Sequence, residues 1–204
     1  MITLATPAAP PCLAAFAAMD PPPDFGIPAF VECKGQVREK LLANQHYQCA
    51  YCERPIEDRP GDCHLDHVHP QSKLDSGRFV ISNLVASCET DTTCGKQHAD
   101  ERVPDELNPY LSGNLHLAFD CSSEGELFAV SLSEPVAQFA NAHLGLNDPG
   151  LKTVRSIVIA KLMLYIIGTG TNPRKRLKTL STRSTGFLSL HFKLLGRFGF
   201  SLPS

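Results

Sequence analysis

Apolar residues recur at helical spacing in two stretches of the chain. Between Lys34 and His46, apolar positions are interleaved with charged ones, which predicts an amphipathic helix leading into Cys49. A second helix is expected to open at Asp148-Pro149, where the pair supplies an N-cap and a first-turn proline. Its apolar face and its predicted stop are Leu151, Val154, Val158, Leu162, Tyr165 and Gly168. Helices are therefore predicted on both sides of the middle of the chain.

Between these helices the apolar residues come in short runs bounded by turn residues, a pattern typical of strands. Residues 65–68 predict one strand, which Pro70 ends, and residues 79–81 predict a second strand after a polar loop. A short helix is expected after Cys94. Farther on, residues 115–121 and 127–132 flank a glycine-containing turn and predict a β-hairpin.

The pattern divides the chain into four segments. Residues 1–33 are rich in proline and predict an irregular arm, residues 34–104 a β-loop-β-α core, residues 105–168 a helical and hairpin scaffold, and residues 169–204 a tail. A chain of 204 residues suits one cooperative unit of α+β class. No apolar run approaches the roughly 20 residues that a bilayer crossing needs, so no membrane association is expected.

The net charge of −2 hides an asymmetry along the sequence. Residues 1–148 contain 9 Lys and Arg against 21 Asp and Glu, whereas residues 149–204 contain 10 Lys and Arg and no acidic residue. Such a block is expected of a surface that meets phosphate or an acidic partner.

The spacing of four of the eight cysteines is typical of a metal site. Cys49 and Cys52 form a C-x2-C knuckle, and we expect Cys88 and Cys94 to face them and complete a tetrahedral, structural Zn²⁺ site. The second pair has the longer spacing x5, and Cys63 could compete for a ligand place. The remaining cysteines are predicted to be free thiols in a reducing cytosol: Cys12, Cys33, Cys63 and Cys121.

Residues 64–70 concentrate an acid and three histidines between the two cysteine pairs. Hydrolysis of a phosphodiester needs a general base for water and a divalent cation for the phosphate and the leaving oxygen. His67 has a suitable pKa for the first role, and Asp66 is a hard oxygen ligand for the second. For His69 a ligand role and a structural role are equally open, and for His64 a structural role is favoured.

The order of these motifs resembles the HNH (ββα-metal) endonuclease family. The resemblance is carried by CAYCE at residues 49–53, DHVHPQS at 66–72, SNLVASC at 82–88 and CGKQH at 94–98. Within the family the chain is similar to Septu-type, PtuB-like anti-phage nucleases, over about residues 36–156. The resemblance implies a ββα-metal core stapled by the four-cysteine zinc site and wrapped by helices and a hairpin.

The resemblance also implies roles for particular residues. His67 is expected to be the general base and Asp66 a ligand of the catalytic ion, Mg²⁺ or Mn²⁺. Asn83 is expected to orient the loop, although a turn-forming role is open. Simpler members place a second metal ligand directly after the last cysteine, where this chain has Gly95; His98 is the expected replacement, with Asp100 as the alternative.

The function implied is cytoplasmic, metal-dependent cleavage of DNA in anti-phage defence, beside an ABC-type ATPase. The chain has no P-loop of its own. An RNA (tRNA) nuclease with the same site, or a non-catalytic zinc-ribbon adaptor for nucleic acid or an ATPase, are the alternatives. Residues expected to contact phosphate are Lys73, Arg174, Lys175, Arg176 and Lys178, although a disordered basic tail is an equal alternative for the last four.

Overall fold

The computed structural model describes residues 1–73, 77–167, 186–187 and 189–190. Within them the α+β class is confirmed. The helices are α1 (Pro11–Ala17), α2 (Val31–Asn44), α3 (Cys94–His98), α4 (Leu115–Ala118), α5 (Glu134–Ala142) and α6 (Pro149–Ile167). The strands are β1 (Cys63–His67), β2 (Leu84–Cys88), β3 (Phe119–Cys121) and β4 (Leu127–Ala129). The four-segment division of the chain stays a prediction.

The strands β1 and β2 form an antiparallel pair in which Cys63 lies opposite Cys88 and His67 opposite Leu84. The prediction of a second strand at residues 79–81 is wrong, because single 3-10 turns occupy this stretch. The strand begins only at Leu84, and all five of its residues are buried. A strand covered on both faces lacks the polar and apolar alternation by which a half-buried strand is recognised.

Helix α2 is close to its predicted position and is joined to β2 at its end. The side chain of Gln45 donates to the carbonyl of Ala86 over 2.8 Å and accepts from the amide of the same residue over 2.8 Å. The side chain of Gln45 thus supplies a partner to the buried amide of Ala86, whose carbonyl also accepts from the amide of Ala50 over 3.1 Å. It also places the knuckle that follows α2 beside β2.

The N-terminal arm is more ordered than its sequence predicts. Residues 1–33 contain α1 and a 3-10 turn, and Cys12 and Cys33 form a disulfide, so the prediction that these two are free thiols is wrong. Their Cα atoms lie 5.8 Å apart, within the range that a disulfide spans. Although the apolar residues of the arm show no regular period, three of its phenylalanines pack with Phe79 in one aromatic cluster: Phe16, Phe25, Phe30 and Phe79.

The hairpin at residues 115–132 is shorter than predicted. Its first part, which alternates like a strand, is the helical turn α4, and only β3 and β4 pair. Gly125 in the connecting turn has a φ of +82°, and a Cβ there would lie 2.0 Å from the carbonyl oxygen of Lys152. The turn therefore packs directly on α6 and requires glycine.

Helix α6 confirms the predicted helix after Asp148. The carboxylate of Asp148 accepts from the amide of Gly150 over 2.8 Å, as an N-cap does, while the predicted stop at Gly168 lies outside the described residues. One continuous set of buried apolar residues extends from Met1 to Leu151 and encloses the cysteine pairs. None of the described helices combines the length and apolar character that a bilayer crossing requires.

Candidate metal and catalytic centre

Four buried cysteines come together from three parts of the chain. Cys49 and Cys52 follow α2, Cys88 ends β2 and Cys94 begins α3, and their sulfur atoms all lie within 4.8 Å of one another. Tetrahedral Zn²⁺ with Zn–S bonds of about 2.3 Å needs sulfur atoms roughly 3.8 Å apart. The Sγ atoms of Cys52 and Cys88 are 3.9 Å apart, so the cluster is positioned to bind a metal ion.

The pKa shifts of the cysteine thiols are also consistent with a site that binds a cation. Burial raises the pKa of the Cys52 and Cys94 thiols well above its usual range, whereas hydrogen bonds from Cys49 and Cys52 lower the pKa of Cys88. Several thiolates cannot share a buried site without a compensating charge. Cys63 lies outside the cluster and so does not compete as a ligand, and burial raises the pKa of its thiol to about 11.

A buried arginine lies near the cysteine cluster. Arg155 on α6 is 1% exposed, donates to the carbonyl of Gly125 over 2.8 Å and donates to the carbonyl of Leu146. Burial lowers the pKa of this guanidinium, while the thiolate charges of Cys52 and Cys94 act to raise it. The contacts tie α6 to the hairpin turn, and the charge offsets part of the negative charge of four thiolates.

We expect Arg155→Met to lower the free energy of unfolding by on the order of 3 kcal/mol, because two buried carbonyl oxygens lose their donors. Urea denaturation of the zinc-loaded protein measures this. The control is Arg59→Met, whose exposed ion pairs with Glu57 and Asp62 are worth less than about 1 kcal/mol. Equal losses in the two variants would contradict the structural role of Arg155.

The carboxylate of Asp66, on β1, lies in a buried network. Its Oδ2 accepts from the hydroxyl of Tyr51 over 2.6 Å and lies 2.8 Å from Nε2 of His98. Burial is the largest cause that raises the pKa of Tyr51 well above its usual range, so this hydroxyl stays a donor. The zinc knuckle and α3 thus each supply one contact to the same oxygen.

His98 lies between two acceptors. Its Nδ1 donates to the carbonyl of Glu101 over 2.9 Å, and its Nε2 faces Asp66. Burial opposes the charged imidazolium, but the hydrogen bond to Asp66 and the charge of that carboxylate outweigh it and raise the pKa of His98. The carbonyl of Glu101 only accepts, so Nδ1 of His98 carries a proton, and Nε2 is directed at Asp66 Oδ2.

His67 is arranged differently. A carbonyl oxygen only accepts, so the 3.0 Å contact between Nε2 of His67 and the carbonyl of Arg78 fixes the proton on Nε2 and leaves the lone pair on Nδ1. Burial is the main cause that lowers the pKa of His67, so the ring is neutral near pH 7. The ring of Phe25 contacts it edge-on, with centroids 4.6 Å apart. A neutral imidazole with a defined lone pair can act as a general base.

Asn83 fastens the loop that follows β1. Its Oδ1 accepts from the amide of His69 over 2.7 Å, and its Nδ2 donates to the carbonyls of His69 and Gly77 over 3.0 and 3.2 Å. The side chain therefore joins the end of β1 to the turns before β2. Because His67 lies two residues before His69, these contacts restrict the backbone that presents its ring.

Three further predicted residues lie within the part of the chain that the structure describes: Asp100, Lys73 and His69. Asp100 accepts from the hydroxyl of Ser72 over 3.2 Å, and Lys73 is exposed. The half-buried ring of His69 has a pKa lowered mainly by burial. The predicted phosphate contacts Arg174, Lys175, Arg176 and Lys178 lie outside the described residues.

Comparison with known proteins agrees with this arrangement. The profile of the HNH endonuclease family matches residues 49–100, which hold the cysteine cluster, Asp66, His67, Asn83 and His98. The chain carries an HNH endonuclease domain. It is also similar to a protein of Vibrio cholerae serotype O1 biovar El Tor named "Retron Vc95 putative HNH endonuclease", with 26% identity over 172 residues that cover 80% of this chain and 82% of that protein.

The HNH domain holds one contributor, Tyr51, that the sequence pattern did not single out. Tyr51 stands between the two knuckle cysteines, and the fold places its hydroxyl within hydrogen-bond distance of Asp66. His64 shares a face of β1 with Asp66 by strand periodicity, a signal that the sequence carried. HNH nucleases use divalent cations, and the carboxylate and imidazole groups here are suitable donors for one.

Proposed function

We propose that this HNH endonuclease hydrolyses phosphodiester bonds in DNA, with His67 as the general base and Asp66 as a ligand of a divalent cation, Mg²⁺ or Mn²⁺. The observation that carries the proposal is the fixed tautomer of His67 beside Asp66. Nε2 of His67 is occupied by the carbonyl of Arg78, so Nδ1 is the atom that accepts a proton from the attacking water. A cation held by Asp66 would supply positive charge to neutralise the phosphate and stabilise the leaving 3′ oxygen.

The other residues prepare these two. Tyr51 and His98 fix one oxygen of Asp66 and thereby set the direction of the carboxylate. Asn83 is proposed as the orienting residue, because its side chain forms hydrogen bonds with both the amide and the carbonyl of His69, two residues beyond His67. Pre-set groups of this kind need little rearrangement when the substrate is bound. His98 is proposed as the second ligand of the cation, with Asp100 as the alternative, because its Nδ1 donates to the carbonyl of Glu101 and its Nε2 faces Asp66.

We propose Zn²⁺ as the ion of the four-cysteine cluster, in a structural role. Four thiolate ligands fill a tetrahedral zinc site and leave no open position for a substrate. The cluster joins the end of α2, β2 and the start of α3, so the ion holds together the elements that present the catalytic residues. Structural zinc and catalytic cation are thus separate sites.

The biological setting that we propose is cytoplasmic anti-phage defence beside an ABC-type ATPase. It is supported by the likeness to PtuB-like nucleases and by a relative named for a retron. The basic, acid-free residues 149–204, with Arg174, Lys175, Arg176 and Lys178, together with the exposed Lys73, supply charge suited to a phosphate backbone. Because residues 174–178 are not described, their contact with nucleic acid rests on composition.

Incubation with supercoiled plasmid and, separately, with total tRNA tests the substrate. We expect the zinc-loaded protein with Mn²⁺ to nick and linearise the plasmid, with 5′-phosphate and 3′-hydroxyl ends, and to leave tRNA intact. Cleavage of tRNA alone would contradict the DNA assignment and favour the RNA nuclease. Defence that persists in cells carrying the His67→Ala variant would favour the non-catalytic zinc-ribbon adaptor.

A further inference from the structure

Lys34, on α2, carries a positive charge close to His67. Its Nζ lies 4.8 Å from the centroid of the Phe25 ring, and that ring contacts the ring of His67, with centroids 4.6 Å apart. Among the described residues Lys34 forms no ion pair, whereas Arg38, one turn farther along α2, pairs with Asp58. The charge of the half-buried Lys34 is therefore held over an aromatic ring and is available to an anion.

Arg78 brings a second positive charge to the same place, because its carbonyl oxygen accepts from the ring of His67. Its guanidinium contacts the N-terminal arm: Nη1 donates to the carbonyl of Pro23 over 3.4 Å and to Oδ1 of Asp24 over 3.2 Å. The Nε of Arg78 is shielded from solvent and has no acceptor among the residues that the structure describes. A buried donor of this kind costs free energy until an acceptor reaches it.

The ion pair between Arg78 and Asp24 is one that a stronger anion can replace. The side chain of Asp24 is 92% exposed, whereas that of Arg78 is 17% exposed. An exposed carboxylate gains little from such a pair, because water solvates it well. A phosphate can take two N–H groups of one guanidinium at once, which makes it the stronger partner. Asp24 therefore marks a place where an anion binds and from which it can be displaced.

The two cations act on the same imidazole. Burial is the main cause that lowers the pKa of His67, and the positive charges of Arg78 and Lys34 lower it further. One strand of duplex DNA carries a phosphate about every 3.4 Å along the helix axis, so the neighbours of a phosphate at His67 fall within reach of cations around that ring. Lys34 and Arg78 are therefore placed to bind phosphates next to the one that is cleaved.

We infer, on the basis of the proposed nuclease function, that Lys34 and Arg78 bind backbone phosphates of the DNA strand beside the scissile bond, and that Asp24 occupies Arg78 until DNA displaces it. Contacts of this kind position a strand without reading its sequence. The N-terminal arm is then part of the substrate-binding surface, because Phe25 lies under the Lys34 ammonium and Asp24 lies on Arg78.

DNA binding by the full-length, zinc-loaded protein without added divalent cation tests the inference apart from cleavage. The fluorescence anisotropy of a labelled duplex gives the affinity over a series of salt concentrations. Each phosphate contact contributes about 0.9 to the slope of log affinity against log salt concentration. We expect Lys34→Gln and Arg78→Gln each to reduce the slope by about one and to weaken binding on the order of five- to ten-fold at about 0.1 M salt.

Matched controls are available for both substitutions. Lys40 is exposed on a different face of α2, and Arg59 is exposed and pairs with carboxylates. Lys40→Gln and Arg59→Gln should keep the wild-type slope. Lys34→Arg and Arg78→Lys retain the charge and should keep most of the slope, which a loss of packing alone would not allow. Thermal melting and zinc content confirm that each variant is folded.

Asp24→Asn tests the competition for Arg78. Removal of this carboxylate should strengthen DNA binding on the order of three-fold, because DNA no longer displaces an ion pair. The gain should disappear when Asp24→Asn is combined with Arg78→Gln, since the two changes act on one contact. The control is Asp91→Asn, at a side chain that is 88% exposed and pairs with Lys96, and its affinity should stay at the wild-type level.

The outcomes separate the inference from the proposed function. Wild-type slopes in Lys34→Gln and Arg78→Gln, in a protein that nicks plasmid, would overturn the inference and leave the nuclease proposal intact; if Arg78→Gln does not fold, a wild-type slope in Lys34→Gln is sufficient. Absence of DNA binding by the wild-type protein, or a gain in Asp24→Asn that persists beside Arg78→Gln, would also overturn it. Reduced slopes in a protein that cleaves neither plasmid nor tRNA would uphold the phosphate contacts and contradict the proposed function.

Discussion

Cys88→Ser is expected to abolish zinc binding and cooperative folding of the core. Cys88 is fully buried at the end of β2 and is the residue through which the strand pair meets the cluster. Apparent binding energies of structural zinc are about 10–16 kcal/mol, comparable with the roughly 5–15 kcal/mol total stability of a domain. The variant should contain no zinc by atomic absorption and show no cooperative thermal transition by circular dichroism.

Cys63→Ser is the matched control for this change. Cys63 is also buried, lies directly opposite Cys88 in the strand pair and stands outside the four-sulfur cluster. It should retain one zinc per chain and a cooperative transition. If Cys88→Ser kept its zinc, or if Cys63→Ser lost it, the assignment of the four ligands would be incorrect.

His67→Ala is expected to reduce the rate of cleavage on the order of 10²–10⁴-fold, the usual contribution of a general base. The loss should appear in the single-turnover rate at saturating DNA, since His67 is placed to accept a proton and its removal leaves the rest of the site in position. Zinc content and the melting transition should be retained, because the cysteine ligands are unchanged. The control is His143→Ala, at an exposed residue just after α5, which should cleave at the wild-type rate.

Two outcomes would contradict the role of His67. One is a wild-type single-turnover rate in His67→Ala. The other is recovery of the wild-type rate by raising the DNA concentration, which would place His67 in substrate binding instead of chemistry. Loss of the ring also removes the edge contact with Phe25, so a small fall in melting temperature is compatible with the role.

The sequence predicted the parts of the fold that are encoded locally. The helices α2 and α6 follow from the spacing of apolar residues and from an N-cap with a first-turn proline, and the four-cysteine cluster follows from two spaced pairs. The position of β2 could not be predicted in this way, because a strand that is buried on both faces has no alternation of polar and apolar residues. The order within the N-terminal arm depends on contacts with Phe79, which is distant in sequence.

The candidate site was predictable to a similar extent. The segment containing Asp66 and His67 stands out by composition, and the likeness to HNH nucleases supplied Asn83 and His98. Two hydrogen bonds of the site were not predictable: the one from the Tyr51 hydroxyl to Asp66 and the one from His67 to the carbonyl of Arg78. Contacts of backbone carbonyls and buried hydroxyls leave no pattern in a sequence. The close packing of Gly95 against His64 and Asp66 depends on the position of α3, which the long spacing between Cys88 and Cys94 obscured.

We propose that Asp66 and His67 form a cation-dependent centre for phosphodiester hydrolysis, separate from the structural zinc. Its most direct test is cleavage of supercoiled plasmid by zinc-loaded protein before and after the addition of Mn²⁺, in wild type and His67→Ala side by side. We expect wild-type cleavage only once Mn²⁺ is present and a rate at least about 100-fold lower in the variant. Equal cleavage by the two proteins, or wild-type cleavage that needs no added cation, would contradict it.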